Sequence, residues 1–255
     1  MMSNEMFGPT PYDNRPRHEE MYQPCVAHDD GERCWKLGRL REVKSVRSFY
    51  FYAPQFWRMI KRMKLLSDQI DERELSILLR ELEAVLVAQV PGDVVEFGCY
   101  VGTASVPLAK RLVHTDKMIS VYDSFEGLPD KATQDESPVG LQFKKGELFA
   151  SKKQLIKNFK QAGVPLPRIV KGWFSDITPK QVPQQISFAY LDGDYYHSVL
   201  DPLKLIWPRL APGAVVIVDD YANEALPGAA KAVNEWLKKH PAKLQIEHSL
   251  AIIRT

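Results

Sequence analysis

Two pairs of aspartates follow successive apolar runs in this sequence, at positions where their carboxylates could share a cation. Asp192 and Asp194 follow the run ISFAYL, and Asp219 and Asp220 follow the run AVVIV. If both runs are neighbouring strands, the four carboxylates converge on one edge of a sheet and repel one another unless a cation lies among them. Ligands that are all oxygen favour Mg²⁺ over zinc. The pattern therefore predicts a magnesium site.

One carboxylate of this group is available for proton transfer. Water or substrate oxygens can complete the shell of the cation, so Asp194 need not bind it and could act as a general base. His197, at the entry of the next helical stretch, is the alternative base. A single aspartate in such a place is often only a helix cap or turn residue. Two pairs after neighbouring runs favour the chemical role.

A glycine turn and a distant acid predict a second binding region. In DVVEFGCYVGTAS, Gly98 and Gly102 allow a tight turn from a strand into a helix, and Glu96 precedes the turn. Roughly 25 residues later, Asp123 ends the run ISVYD, a position where an acid can accept both hydroxyls of a ribose. Together these features predict an adenosine-containing ligand.

The ligand at the glycine turn is predicted to be S-adenosylmethionine. The turn lacks the complete GxGxxG pattern, and the charge of Glu96 would repel the pyrophosphate of a dinucleotide. A carboxylate suits a cationic sulfonium ligand better. In the turn GWFSDITP, Asp176 could accept from the adenine amino group, with Trp173 and Phe174 near the ring. The equal alternative for Asp176 is a capping role.

The elements that must position these residues follow an α/β pattern. From residue 93 onward, short apolar runs alternate with helical patterns, and runs such as VVEF and AVVIV fit strands buried on both faces. This predicts a doubly wound, mostly parallel sheet, which binds ligands at the carboxyl ends of its strands. Residues 72–90 form a preceding helix, and LQIEHSLAIIRT forms one or two antiparallel edge strands. Pro54 begins an amphipathic helix further upstream.

The composition narrows the class of protein. The chain has 255 residues, 34 basic and 32 acidic side chains and a formal charge of +2, which gives no reason to expect nucleic-acid binding. No apolar run approaches the roughly 18–20 residues that cross a bilayer, and the start is polar. Cysteines are few and form no CxxC pair. We therefore expect a cytoplasmic protein without a membrane span.

These residues resemble one family. EFGCYVGTAS, YDSFEGLP, GWFSDITP, LDGDYYHSVLDPL, PGAVVIVDDY and GAAKAVNEW look like the macrocin-type O-methyltransferases, which methylate sugar hydroxyls of natural products with S-adenosylmethionine. The resemblance covers roughly residues 70–250 and implies a class I, Rossmann-like fold with seven strands. It divides the chain into an N-terminal extension or helical lid, residues 1–70, and a methyltransferase domain, residues 71–255.

The resemblance also implies residue roles. Mg²⁺ would be held by Asp192, Asp219 and Asp220, and would chelate vicinal oxygens of a sugar or glycosylated acceptor. Asp194 is the implied base. The implied cofactor-binding residues are Glu96, Gly98, Tyr100, Gly102, Thr103, Ser105, Asp123, Ser124, Phe125, Gly172, Trp173, Phe174, Asp176 and Asp192. Members of the family often form homodimers or higher homo-oligomers, so we expect one here.

Three other functions remain open from the residues alone. A catechol-type, metal-dependent O-methyltransferase would use a similar site for a planar diol. An NAD-dependent oxidoreductase is disfavoured by the missing third glycine and by the carboxylate cluster. A non-catalytic scaffold that kept the fold would be marked by a lost metal ligand, and all the aspartates are present.

Overall fold

Residues 65–255 are described by the computed structural model, and they alternate strands with helices as predicted. The helices are α1 (Glu72–Val87), α2 (Ser105–Leu112), α3 (Lys152–Ala162), α4 (Tyr196–Ile206) and α5 (Pro227–Lys239). The strands are β1 (Asp93–Phe97), β2 (Ile119–Asp123), β3 (Arg168–Lys171), β4 (Ile186–Leu191), β5 (Leu210–Val218), β6 (Lys243–Glu247) and β7 (Leu250–Arg254).

The seven strands form one sheet with the order β3-β2-β1-β4-β5-β7-β6. The pairs from β3 to β5 are parallel, whereas β7 is antiparallel to both β5 and β6. The predicted doubly wound, mostly parallel sheet is thus confirmed, and the last segment forms two antiparallel strands. The strand order reverses between β1 and β4, so a ligand cleft is expected at the carboxyl ends of these strands.

The apolar runs are continuous because both faces of the sheet are covered. Along β1, Val94 packs into one core cluster and Val95 into the other, and both side chains are fully buried. The first cluster lies with α1, α2 and α3, the second with α4 and α5. Side chains alternate between the faces of a strand, so each successive residue of a central strand must be apolar.

Helix α1 begins with a capping box. The Asp71 carboxylate accepts hydrogen bonds from the backbone N–H of Arg73 and Glu74, and Glu74 accepts in return from the backbone N–H of Asp71. The helix ends at Val87, three residues before the predicted end. Gln89 there adopts a left-handed backbone with φ of 52°, which stops the helix.

A long connection between β2 and α3 carries little regular structure, and its anchor is Asp135. This buried carboxylate accepts from the backbone N–H of Tyr196 at 2.6 Å and from that of Ala132 at 2.9 Å. Gly228 leaves the necessary space, because a Cβ there would lie 1.8 Å from Asp135 Oδ1. The connection is thereby held on the first turns of α4 and α5.

The N-terminal extension predicted for residues 1–70 lies outside the described residues up to position 64, as does the amphipathic helix after Pro54. Of the remainder, Ile70 is buried in the core and Leu65 packs against it. Within residues 65–255, no helix has the length and apolar character needed to cross a membrane.

Candidate active site

The carboxyl edge of the parallel strands gathers the predicted site residues. Backbone hydrogen bonds continue past the strand ends, from Gly98 N to Tyr122 O, from Asp192 N to Phe97 O and from Asp219 N to Leu191 O. These bonds fix the glycine turn after β1, the aspartates after β4 and the aspartates after β5 in one row. The sheet therefore places the two predicted binding regions side by side.

The backbone at this edge is strained in a recurring way. One non-glycine residue with positive φ follows each of the four central parallel strands: Tyr100 (44°), Phe125 (53°), Asp194 (62°) and Asp220 (56°). Such conformations cost about 1–3 kcal/mol each and persist only where the surroundings impose them. Their concentration at one edge marks the functional end of the sheet.

The two regions touch at Gly98. This glycine has φ of 87°, and a Cβ built on it would lie 1.8 Å from the carbonyl oxygen of Asp192. No larger residue fits between the turn after β1 and the loop after β4. The close approach requires glycine for both conformation and space.

Asp123 organises the glycine turn. Its Oδ2 accepts from the backbone N–H of Cys99 at 3.0 Å and of Tyr100 at 3.1 Å, and its Oδ1 accepts from that of Phe125 at 2.7 Å. The predicted ribose acid thus also holds the turn after β1 and the loop after β2 together. This structural role was not expected from the sequence, and the ribose role stays a prediction.

Glu96 is fully buried near the end of β1, just before the glycine turn. Burial, with a smaller contribution from the negative charge of Asp123, raises the pKa of Glu96 to about 8. The hydroxyl of Ser105 lies beside this carboxyl and offsets the shift somewhat, although its geometry falls short of a hydrogen bond. Glu96 Oε2 and Ser105 Oγ are both buried without a hydrogen-bond partner among residues 65–255. Two buried polar atoms beside the glycine turn therefore lack a hydrogen-bond partner in the described part of the chain.

The other predicted cofactor residues lie along the ends of β1, β2 and β3. The Thr103 hydroxyl is hydrogen-bonded to Ser67 at 2.7 Å, and the Ser124 hydroxyl accepts from the backbone N–H of Glu126. Gly172 is tied to the end of β2 by a bond from its N–H to the carbonyl of Asp123. Gly102 begins the turn into α2.

The turn after β3 is a short 3₁₀ helix, Phe174–Asp176, preceded by Trp173. The ring of Phe174 meets the buried ring of Phe97 edge-on at 5.4 Å, which fixes the turn against the sheet. Asp176 is exposed, and its side chain accepts only a 3.3 Å bond from Ser175 within the described part of the chain. Its carboxylate is therefore accessible to a ligand, while a capping bond to the following backbone is not made.

Three aspartates meet at the ends of β4 and β5. Asp192, Asp194 and Asp220 each offer a carboxylate oxygen, and the three oxygens lie within 4.8 Å of one another. This set shares two members with the predicted set but contains Asp194 in place of Asp219. Asp219 is buried, and its two carboxylate oxygens accept hydrogen bonds from Tyr190 and from the backbone N–H of Asp220 instead of meeting the other three.

Asp219 is held by two protein donors. Its Oδ2 accepts from the hydroxyl of Tyr190 at 2.5 Å, and its Oδ1 accepts from the backbone N–H of Asp220 at 2.8 Å. Asp220 in turn accepts from the amide of Asn223 at 2.7 Å. Among the described residues no donor is found for the Asp194 carboxylate.

Burial and mutual repulsion raise the pKa of every carboxyl in this group. Burial is the largest cause for each, and the neighbouring carboxylates add to the effect. The pKa of Asp192 and of Asp194 lies well above the usual range, and that of Asp219 rises to about 8. Asp220 shifts in the same direction, but its bond from Asn223 opposes the shift.

The donor set fits a hard divalent cation. All the groups that meet are carboxylates, and in the part of the chain that the structure describes no basic side chain forms an ion pair with them. A site of three oxygens with open positions suits Mg²⁺ or Mn²⁺ rather than zinc.

His197 is not one of the side chains that meet in this cluster. It is exposed in the first turn of α4, and its ring packs edge-on against that of Tyr196 at 5.1 Å. Asp194 is one of the three aspartates whose carboxylate oxygens meet. Of the two candidate bases, the geometry therefore favours Asp194.

Sequence reasoning missed four residues that shape the site: Tyr190, Asn223, Asp135 and Asn158. Tyr190 could have been found, because residues two apart in a strand share a face and Tyr190 precedes Asp192 by two. Asn223 and Asp135 lie in irregular segments, where spacing carries no signal. Asn158 supports the glycine turn from α3 by donating to the carbonyl of Val101 at 2.8 Å.

Comparison with known proteins agrees with this geometry. The family description "Macrocin-O-methyltransferase" matches residues 64–251. A protein of Streptomyces olivaceus, 8-demethyl-8-(2,3-dimethoxy-alpha-L-rhamnosyl)-tetracenomycin-C 4'-O-methyltransferase, is 36% identical over 152 residues, or 56% of this chain. The chain spans 58% of the length of that relative. Mycinamicin III 3''-O-methyltransferase of Micromonospora griseorubida is 31% identical over 67% of this chain and 70% of its own length.

Solved structures agree on the fold. The O-methyltransferase NovP is similar with a TM-score of 0.65 and 28% identity, over 72% of this chain and 80% of its own. The calicheamicin methyltransferase CalS11 reaches a TM-score of 0.59 over 88% of this chain and 99% of its own, at 20% identity, and supports the fold alone. The sheet is thus that of the class I methyltransferases. With a family match over most of its length, the chain belongs to the macrocin-O-methyltransferase family.

Proposed function

We propose that this protein transfers the methyl group of S-adenosylmethionine to a sugar hydroxyl of a natural product, with Mg²⁺ at the aspartates after β4 and β5 and Asp194 as the general base. One observation carries the proposal. The predicted cofactor turn and the carboxylate group touch at Gly98 and Asp192, so a donor on one side lies next to an acceptor on the other. Methyl transfer requires this proximity.

The residues around the glycine turn form the side of the site that would bind the methyl donor, and they support S-adenosylmethionine. Asp123 Oδ2 accepts two backbone N–H bonds and the thiol of Cys99, whereas Oδ1 accepts only the N–H of Phe125 and so retains one acceptor position for a ribose hydroxyl. The sulfonium supplies an electrophilic methyl group. Glu96 is buried before the turn, and because burial raises its pKa to about 8 it offers a polar contact there rather than the negative charge expected from the sequence.

The aspartates after β4 and β5 form the side of the site that would bind the methyl acceptor, and they support a divalent cation. Asp192 and Asp220 belong both to the predicted ligands and to the group that meets in the structure, and either Asp219 or Asp194 provides the third oxygen. Mg²⁺ bound there would supply a Lewis acid that lowers the pKa of an acceptor hydroxyl.

The chain's own residues then act on the acceptor. No protein donor among residues 65–255 holds the Asp194 carboxylate, so it is available to accept the hydroxyl proton. The loops after β1 and β4 hold donor and acceptor in line. Because the step joins a cation and an alkoxide into neutral products, a water-poor cleft favours it.

The acceptor class follows from the relatives. The name of the Streptomyces olivaceus relative contains a rhamnosyl group attached to tetracenomycin C, and the other relative methylates mycinamicin III. We therefore propose a sugar of a glycosylated natural product as the acceptor. The expected homo-oligomer stays a prediction.

Isothermal titration of the chelator-treated protein tests the donor side. We expect S-adenosylmethionine and its demethylated product to bind with micromolar affinity without metal, because Asp123 and the glycine turn need none. Binding of reduced NAD in their place would overturn the donor assignment. A screen of glycosides, free sugars and catechols with labelled cofactor then tests the acceptor class, and methylation of catechols alone would replace the sugar.

A pair of variants tests the third ligand. Asp219→Asn and Asp194→Asn each remove one charge from the group, and Mn²⁺ titration measures the affinity that remains. Whichever of the two aspartates binds the cation, its variant is expected to lose more Mn²⁺ affinity than the other variant. Equal and unchanged affinity in both would contradict a site at these aspartates.

A further inference from the structure

Tyr190 lies within the sheet, next to the cluster of aspartates that follows β4 and β5. It belongs to β4, is fully buried and packs in the core cluster of α1 to α3. Its hydroxyl donates to Asp219 Oδ2 and lies 3.3 Å from Asp192 Oδ2. A single phenol therefore bridges carboxylates that come from two different strands.

We propose that Tyr190 is a positioning residue that ties Asp192 to Asp219 and so sets the geometry with which the group binds a divalent cation. The inference deepens the proposed function, on whose metal site it rests. Tyr190 touches neither donor nor acceptor in this assignment. It acts through the two aspartates that it holds.

The contacts of Asp219 show why the bridge matters. This side chain is 5% exposed, and its only other donor among the described residues is the backbone N–H of Asp220. Without the phenol, Oδ2 would be buried with no donor and would face the carboxylate of Asp192 across a short gap. The two side chains would turn apart, and the arrangement on which the cation depends would be lost.

Orienting partners of this kind are known to matter for metal sites. Groups that hydrogen-bond to metal ligands typically change metal affinity by about 10- to 100-fold when removed. The effect comes from the orientation of the ligands rather than from a direct bond to the ion. A phenol inside an apolar core is rigid, so it suits this role.

Tyr190→Phe tests the proposal, with Tyr122→Phe as a matched control. Tyr122 is also fully buried in the sheet, but its hydroxyl donates to the carbonyl of Gln181 at 2.8 Å, and its ring stacks on Phe97. Each variant removes one buried hydroxyl from a strand. Only Tyr190→Phe removes a contact to the aspartates.

Mn²⁺ affinity of the chelator-treated full chain, measured by titration calorimetry and by the spin-resonance signal of free Mn²⁺, is the readout. We expect Tyr190→Phe to lose affinity about 10-fold or more and Tyr122→Phe to stay within about two-fold of wild type. Equal affinity of Tyr190→Phe and wild type would overturn the proposal. So would an equal loss in both variants, which would indicate a general effect of cavities in the sheet.

Two further measurements separate the possible failures. S-adenosylmethionine binding to each variant reports whether the fold and the donor side are intact. If wild type binds S-adenosylmethionine but not Mn²⁺, the metal site falls together with this inference, while the donor assignment stands. If Tyr190→Phe does not fold, Mn²⁺ added to wild type must perturb the near-ultraviolet absorption of tyrosine, and a silent spectrum overturns the role of Tyr190.

Discussion

At the scale of single residues, burial changes the chemistry of the carboxyl groups more than their sequence context does. Glu96 and Asp192 occupy the strand-end positions that the sequence predicted, yet the structure raises the pKa of both through loss of water. A residue type at the right spacing therefore indicates a role. Its protonation state follows only from the packing around it.

Glu96→Gln should make the folded chain more stable at high pH. The folded pKa of Glu96, about 8, lies above the usual value of about 4.5, so the protonated form is favoured in the fold. Its contribution is complete below about pH 4.5 and is lost as the pH rises through about 8. Relative to wild type, the stability of the variant should rise by on the order of 4 kcal/mol between pH 5 and 9.

Urea unfolding at pH 5, 7 and 9 measures this gain. Glu136→Gln makes the same substitution at an exposed position and serves as the control. A constant difference between Glu96→Gln and wild type across the pH range would show that Glu96 does not titrate as described.

Asp123→Ala and Asp194→Asn should separate cofactor binding from turnover. Loss of Asp123 removes the ribose acid and the bonds that hold the glycine turn, so S-adenosylmethionine should bind more weakly by about 1–3 kcal/mol. Loss of Asp194 should leave that affinity unchanged and lower kcat by about 10²- to 10⁴-fold. Calorimetry and single-turnover kinetics measure the two. Weakened cofactor binding in Asp194→Asn would argue against the separation.

At the scale of elements, the last two strands of the chain contribute unequally to the core. The last strand, β7, lies between β5 and β6, and its residues Leu250 to Ile253 are fully buried. The penultimate strand, β6, is the edge. Chain order thus does not report position in the sheet.

Ile252→Ala and Ile246→Ala compare the two strands with the same substitution. Ile252 in β7 is fully buried, and Ile246 in β6 is 53% exposed. We expect the first to cost about 2–5 kcal/mol of unfolding free energy and the second less than about 0.5 kcal/mol. Urea denaturation measures both, and similar costs would contradict the strand order.

Helix α3 supports the glycine turn from outside the sheet. Leu155 fills the space beside Gly102, and buried Asn158 donates to the carbonyl of Val101. Asn158→Leu should therefore weaken S-adenosylmethionine binding by about 1–2 kcal/mol while the acceptor KM stays unchanged. Exposed Lys157→Leu, one residue away, is the control. A change in the acceptor KM alone would exclude this support role.

At the scale of the whole molecule, the sequence predicted the layered fold because its signals are local and repeated. Continuous apolar runs such as VVEF and AVVIV, each followed by a helical pattern, specify strands with two covered faces. The strand-end acids followed from the same pattern. The family match adds the class of chemistry to this frame.

The remainder depends on contacts that have no period in the sequence. The bridge from Tyr190 to Asp219 joins residues 29 apart, and the bond from Asp135 to Tyr196 joins residues 61 apart. Side-chain orientation also escaped prediction: Asp219 and Asp220 are neighbours, yet one turns into the sheet and the other into the cleft. Packing and the left-handed backbone of Asp220 determine these side-chain orientations.

The contact between Gly98 and the carbonyl of Asp192 gives the two half-sites a common wall. Any shift of the cofactor turn displaces the backbone that carries Asp192. By reciprocity, whatever factor Mg²⁺ applies to the affinity for S-adenosylmethionine, the cofactor must apply to the affinity for Mg²⁺. Because its methyl group would collide with that carbonyl, Gly98→Ala should weaken the binding of both ligands at once, which titration of each ligand would measure.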